Sequence, residues 1–231
     1  MLKSVEHWLE IANIAFDVLF LLRILGLKLH RAYALVTLSA VLTVFFDGVF
    51  LWFGPESDAS GNVSVYAQFL WAAIFPLIAL DIFDDLLPKF ELVKRMALFR
   101  VVSGYIALAL FAGLLLLISG DATAFQLAAT AGLMLFAMSS LNGLLLIVQI
   151  RKWLQAQGAK FSRNTHVWIV FFVLTFALNL LACVGELLPI LGAQAVHVAV
   201  LVCSIPLTSW AIWRLRSASE NGSAELEKVA S

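Results

Sequence analysis

Three aspartates, Asp81, Asp84 and Asp85, close a long apolar run in "LDIFDDLLPKFELVKR" (80–95). At about 100° per helical residue they fall within an arc of roughly 100°, one face of a helix. Carboxylates so grouped could hold a divalent cation such as Mg²⁺ through oxygen ligands, as an intramembrane enzyme acting on lipid or prenyl substrates would require. Such enzymes use two facing acidic motifs, and this chain has no second one. The surroundings favour ion pairing. Lys89 follows Asp85 by four residues, and Asp81 and Arg100 stand about equally far from a turn near residue 90. The expectation is an interfacial salt-bridge cluster of Asp81, Asp84, Asp85, Lys89 and Arg100, with Asp81–Arg100 as its deepest pair.

A second group of polar residues is dispersed through apolar segments at helical spacing. His7, Glu10, Asn13 and Asp17 recur at steps of three and four, as do Ser39, Thr43 and Asp47 at steps of four. Further along come Ser139, Asn142 and Gln149, then Thr175, Asn179 and Glu186, then His197, Ser204 and Thr208. Each set occupies one helical face. Ionisable groups inside a membrane are costly and usually face a bundle interior or a cavity. Turned inward, the stripes would form an acidic vestibule with Asp17, Asp47, Asn179, Asn142, Glu10 and Glu186 as candidate binding residues. No basic residue neutralises these acids, so the site would suit a cation, a proton or an amine-bearing solute. The alternative is structural: the same groups, protonated or hydrogen-bonded, would only fasten helix to helix.

Other chemistries lack their residues. The last apolar segment has no lysine for a retinal Schiff base, and His7, His30, His166 and His197 form neither HxxxH nor HExxH. His7 and His197 share one edge of the bundle. G-x-S-x-G, P-loop and S-x-x-K patterns are missing. Cys183 and Cys203 lie inside apolar segments and read as buried thiols, not a redox pair. No cofactor and no metal are expected.

The elements that must position these residues follow from composition. Of 231 residues 62% are hydrophobic and only 13% charged, with a mean hydropathy of +0.98. Soluble domains carry roughly 45–50% apolar and about 25% charged residues, so the excess must face lipid. The formal net charge is zero, without the dense Lys/Arg surface that nucleic-acid binding needs. A membrane helix takes about 20 apolar residues. Seven such segments are predicted, at 5–27, 32–53, 64–87, 96–119, 125–150, 165–188 and 193–213. The loops after segments one, three and five, their flanks and the tail hold 13 of the 15 Lys and Arg residues. Basic residues stay on the cytoplasmic side, so the N-terminus is predicted outside and the C-terminus inside. Trp8, Trp52, Trp153, Trp168, Trp210 and Trp213 fall near segment ends, where interfacial tryptophans belong.

The fold class is therefore an all-α membrane protein of seven helices over 1–216, followed by a mobile cytoplasmic tail at 217–231. An internal repeat is also suggested. At an offset of 132 residues (158 minus 26), "GLKLHRAYALVTLSAVLTVFFD" lies over "GAKFSRNTHVWIVFFVLTFALN", and Asp47 falls on Asn179. Units 5–87 and 125–213 would then run parallel, joined by a linker helix at 96–119, as in some transporters.

Residues 65–100, "VYAQFLWAAIFPLIALDIFDDLLPKFELVKRMALFR", carry aromatics early in the helix, then an acidic I-F segment, a proline and a basic stretch. Through Tyr66, Trp71, Asp81, Ile82, Phe83 and Pro88 this run resembles the third-helix region of uncharacterised seven-helix integral membrane proteins of Acidobacteria-type bacteria. The resemblance implies a bacterial cytoplasmic membrane and no particular activity. Taken together the residues read as a small-solute transporter or membrane sensor, proton- or cation-coupled. The partners are the lipid bilayer and a small polar or cationic solute. A lipid- or prenyl-modifying enzyme and an assembly subunit of a membrane complex are the alternatives.

Overall fold

The computed structural model describes residues 2–54, 57–118, 124–187 and 192–217. Nearly all of the tail read as mobile, from residue 218 on, lies outside the described residues. Among those described there are seven α-helices and no strand. They are α1 (Leu2–Gly26), α2 (Ala34–Phe53), α3 (Asp58–Asp81), α4 (Glu91–Ile118), α5 (Ala124–Ala156), α6 (Arg163–Leu187) and α7 (Ala193–Arg214). Six of them, α2 to α7, are long and apolar enough to cross a membrane. The first has the length, at 25 residues, but carries Glu6, Glu10, Asp17 and Arg23 along it.

The helices close into a ring. α1 packs on α2, α2 on α3, α3 on α5, α5 on α6, α6 on α7, and α7 back on α1. α4 stands outside, leaning mainly on α5. Its exposed apolar face, with Phe99, Ile106 and Leu110, is what a lipid-facing helix should present. At one end of the ring Trp168 is wholly buried among Phe20, Tyr33, Phe171 and Phe172, with ring centroids 5.7 to 6.3 Å away. Trp168 is thus a core residue, not the interfacial one expected, because its turn of α6 packs against α1 and the α1–α2 connection. Trp8, Trp52 and Trp213 are exposed as anticipated. Burial also pushes the Tyr33 phenol above its ordinary pKa. Both cysteines are free, but only Cys183 is buried; Cys203 faces outward.

Local chemistry explains the boundaries. α3 begins at Asp58, six residues before the predicted start, because Ser57 caps it: its Oγ accepts from Ser60 N–H at 3.1 Å. It ends at Asp81, six residues early. Pro88 disfavours helix in the residue before it, and residues 82–90 form turns and a short 3₁₀ helix, Leu87–Lys89. α5 continues to Ala156 and stops in a Schellman arrangement. Gly158 adopts φ +77°, its N–H donates to Gln155 C=O at 3.0 Å, and Ala159 N–H donates to Leu154 C=O at 2.9 Å.

Pro76 interrupts α3 from within. A helical proline cannot donate to the carbonyl four residues earlier, here Ala72. Ser139 Oγ of α5 donates to that carbonyl instead, at 2.6 Å and fully buried. Tyr105 of α4 donates its hydroxyl hydrogen to the next carbonyl, Ala73. Close approach elsewhere depends on small residues. At Gly143 an added Cβ would lie 2.7 Å from the buried Phe176 ring, so only glycine lets α5 and α6 meet there.

The Asp81–Arg100 pair expected at the end of α3 does not form. Asp81 Oδ2 accepts from Val36 N–H at 2.9 Å, while Arg100 Nε donates to Gln149 Oε1 on α5 at 3.2 Å. The first residues of α2 have unpaired N–H groups, and its own N-cap, Tyr33, offers no side-chain acceptor. A carboxylate there satisfies a donor and faces the positive end of the helix dipole. The pair does not form because α4 leans on α5, which carries Arg100 away from Asp81. Asp84, Asp85 and Lys89 are exposed.

Candidate functional site

A cavity of about 430 Å³ occupies the middle of the ring, with lining residues from α1, α2, α3, α5, α6 and α7 and none from α4. Four polar stripes meet in it. α1 supplies Asn13 and Asp17, α2 supplies Thr43 and Asp47, α6 supplies Thr175 and Asn179, and α7 supplies Ser204 and Thr208. Glu186, exposed, stands at its rim. The rest of the wall is largely aromatic, including Phe46, Trp71, Phe75 and Phe176.

Hydrogen bonds orient the acidic centre. Ser204 Oγ of α7 donates to Asn13 Oδ1 at 2.7 Å. With its oxygen so engaged, Asn13 presents Nδ2 to Asp17 Oδ2 at 2.8 Å. Asp17 of α1 and Asp47 of α2 line the same cavity. Asp47 Oδ2 is buried without a hydrogen-bond partner, and so is Gln68 Oε1 of α3. No Lys, Arg or His is among the lining residues. The centre is therefore an array of acceptors without a matching cation.

Of the predicted binding residues, Asp17, Asp47, Asn179 and Glu186 line this cavity and Asn142 and Glu10 do not. Asn142 lies against Gly104 of α4, its carboxamide filling the space a Cβ would need. The α5 stripe is spent on neighbours: Ser139 on Ala72, Gln149 on Arg100. Glu10 joins a separate cluster at the first turns of α1 and α7. His197 Nε2 is 3.7 Å from Glu10 Oε1 and 3.9 Å from Glu6 Oε1, and His7 Nδ1 is 3.9 Å from Glu10 Oε2. Gln194 Nε2 donates to Glu6 Oε2 at 2.6 Å. The ligand atoms of Glu6, Glu10 and His197 lie within 4.8 Å of one another, an arrangement that ion pairing between two helix ends accounts for. The shared edge of His7 and His197 was legible in the sequence; the part of Glu6 was not. Gln68 was also missed, although a lone amide in "VYAQFLWAAIF" was its signal.

Comparison with protein-family models, with curated proteins and with solved structures finds no match for this chain.

Proposed function

We propose that this protein binds a small cationic or amine-bearing solute in its central cavity, as a transporter or membrane sensor, with Asp17 and Asp47 as the ionic receptor. The observation that carries the reading is a polar, aromatic-walled cavity containing three carboxylates and no basic side chain. Its volume suits a small molecule, for which sites of about 300–1,000 Å³ are usual. Aromatic faces attract cations through their quadrupoles, so the wall complements the charge the acids select. The neutral amides Asn13, Gln68 and Asn179 add hydrogen-bonding partners that fix orientation.

The finer topology belongs to the same proposal. α1 is a seventh span, since it completes the ring between α2 and α7 and brings Phe20 and Ile24 into the core. The distribution of Lys and Arg supports an N-terminus outside and a C-terminus inside, and the resemblance of residues 65–100 is what points to a bacterial cytoplasmic membrane. Ring order supports the parallel repeat: a twofold axis exchanging α1–α3 with α5–α7 would pair the α3–α5 contact with the α7–α1 contact, and both are present.

Uptake of radiolabelled methylammonium and guanidinium by proteoliposomes, with parallel equilibrium binding, tests the function. Uptake lost in Asp17→Asn and Asp47→Asn supports a transporter, and binding without uptake supports a sensor. Uptake and binding unchanged in both variants would refute the assignment of these residues.

A further inference from the structure

We infer that a groove between α5 and α6, near the connection at 157–162, holds one anionic phospholipid, its phosphate between Arg151 and Lys152 and an acyl chain along the apolar residues below them.

The groove encloses about 300 Å³ and shares no lining residue with the central cavity. α5 lines it with Val148, Arg151, Lys152 and Gln155, which recur at steps of three and four and so occupy one helical face. α6 contributes only apolar side chains, of which Val173 and Leu174 lie farthest from the connection. The apolar run of α5 ends at Ile150, so the two cations stand where hydrocarbon gives way to headgroups. Leu174 is eleven residues into α6, about 16 Å along its axis at 1.5 Å per residue. From the helix ends inward the groove is therefore first polar, then cationic, then apolar, which is the order of a phospholipid.

The charge of this end has no answer within the protein. Arg151 is half-buried and Lys152 exposed, and among the described residues neither forms an ion pair or a side-chain hydrogen bond. From residue 122 to residue 185 the sequence contains no Asp or Glu, while it contains Arg151, Lys152, Lys160 and Arg163. On α4, which also packs against α5, Glu91 is taken by Arg95 at 3.1 Å. A phosphodiester supplies the missing anion: the Arg fork can bond two of its oxygens, and Lys adds a point charge. A zwitterionic lipid would bring its own cation against these two. Interfacial Lys and Arg commonly reach any nearby headgroup by extending along the surface. Here two adjacent cations open into one groove with an apolar floor, the form in which basic pockets between membrane helices select anionic headgroups. An acyl chain there would also cover Leu174, which is 46% exposed.

The test uses the full-length protein in detergent, titrated with phosphatidylglycerol, phosphatidylcholine and soluble glycerol phosphate, with bound molecules counted by native mass spectrometry. One phosphatidylglycerol should bind in preference to phosphatidylcholine, and glycerol phosphate, lacking the chains, far more weakly. Arg151→Gln and Lys152→Gln should each weaken that binding about fivefold, and the double variant about 25-fold, at about 1 kcal/mol per basic residue. Val173→Trp, which fills the apolar part and leaves both charges, should also displace the lipid. Lys160→Gln and Arg163→Gln, basic positions outside the groove, should leave it bound. Circular dichroism confirms that each variant is folded. Equal binding of the two lipids, or losses as large in the Lys160 and Arg163 variants, would overturn the site. Glycerol phosphate binding as tightly as the lipid would overturn the phospholipid as its occupant.

Discussion

Asp81→Ala separates the two roles considered for the acidic end of α3. In the structure the side chain caps α2 through Val36 N–H at 2.9 Å. Removing a helix N-cap costs about 0.5–2 kcal/mol, and a hydrogen bond to a charged group is worth about 1.5–3 kcal/mol. Both figures describe one contact, so they are not added; their overlap gives roughly 1.5–2 kcal/mol. At roughly 2–4 °C per kcal/mol for a chain of this size, the unfolding midpoint should fall by about 3–8 °C. Asp81→Asn keeps an acceptor and loses only the charge–dipole part, about 0.3–1 kcal/mol. Arg100→Ala gives up a 3.2 Å bond to Gln149 at an exposed position, worth about 0.5–1 kcal/mol. The decisive variant is the exchange Asp81→Arg with Arg100→Asp. A salt bridge would survive it. A cap would not, because it sets a cation against the positive end of α2. Thermal unfolding in detergent, followed by circular dichroism for each single and double variant, should give an Asp81–Arg100 coupling within about 0.5 kcal/mol of zero. Recovery of wild-type stability in the exchanged protein would refute the capping assignment.

Two further outcomes are expected. Ser139→Ala should cost about 1–3 kcal/mol by orphaning the Ala72 carbonyl, and much less in a Pro76→Ala background, where residue 76 regains the N–H that can bond it; equal losses in the two backgrounds on thermal unfolding would show that Ser139 acts otherwise. A C-terminal fusion after Arg216 should fluoresce with green fluorescent protein and be inactive with alkaline phosphatase, while fusions in the connection after α2 should behave oppositely; the reverse pattern would invert the proposed orientation.

What could be read from the sequence followed from periodicity and local composition. Helices α2 to α7 announce themselves by runs near the length of a bilayer core, and the stripe through Asn13 and Asp17 by spacing alone. Four of the five stripes converge on one cavity because inward burial is what polar groups in lipid require. Contacts set by the arrangement of helices were not legible. Asp81 and Val36 are 45 residues apart, and nothing near either shows that a carboxylate from α3 closes the start of α2. The displacement of α4 from the ring likewise sends Arg100 to Gln149 and Asn142 to Gly104, removing both from roles their spacing suggested. Trp168 sits near its helix end as an interfacial residue would, yet its turn faces the aromatic core.

Pro76 has a mechanical consequence. A proline in a membrane helix commonly leaves a joint, because the carbonyl it frees lets the two halves swing. Here Ser139 and Tyr105 grip the carbonyls of Ala72 and Ala73 from two neighbouring helices, which turns the joint into a rivet. α3, α4 and α5 are thereby fastened as one stator. α2, which carries Asp47, is tied to the same body where Asp81 of α3 accepts from Val36 N–H. Parting α3, α4 and α5 would orphan the Ala72 and Ala73 carbonyls together.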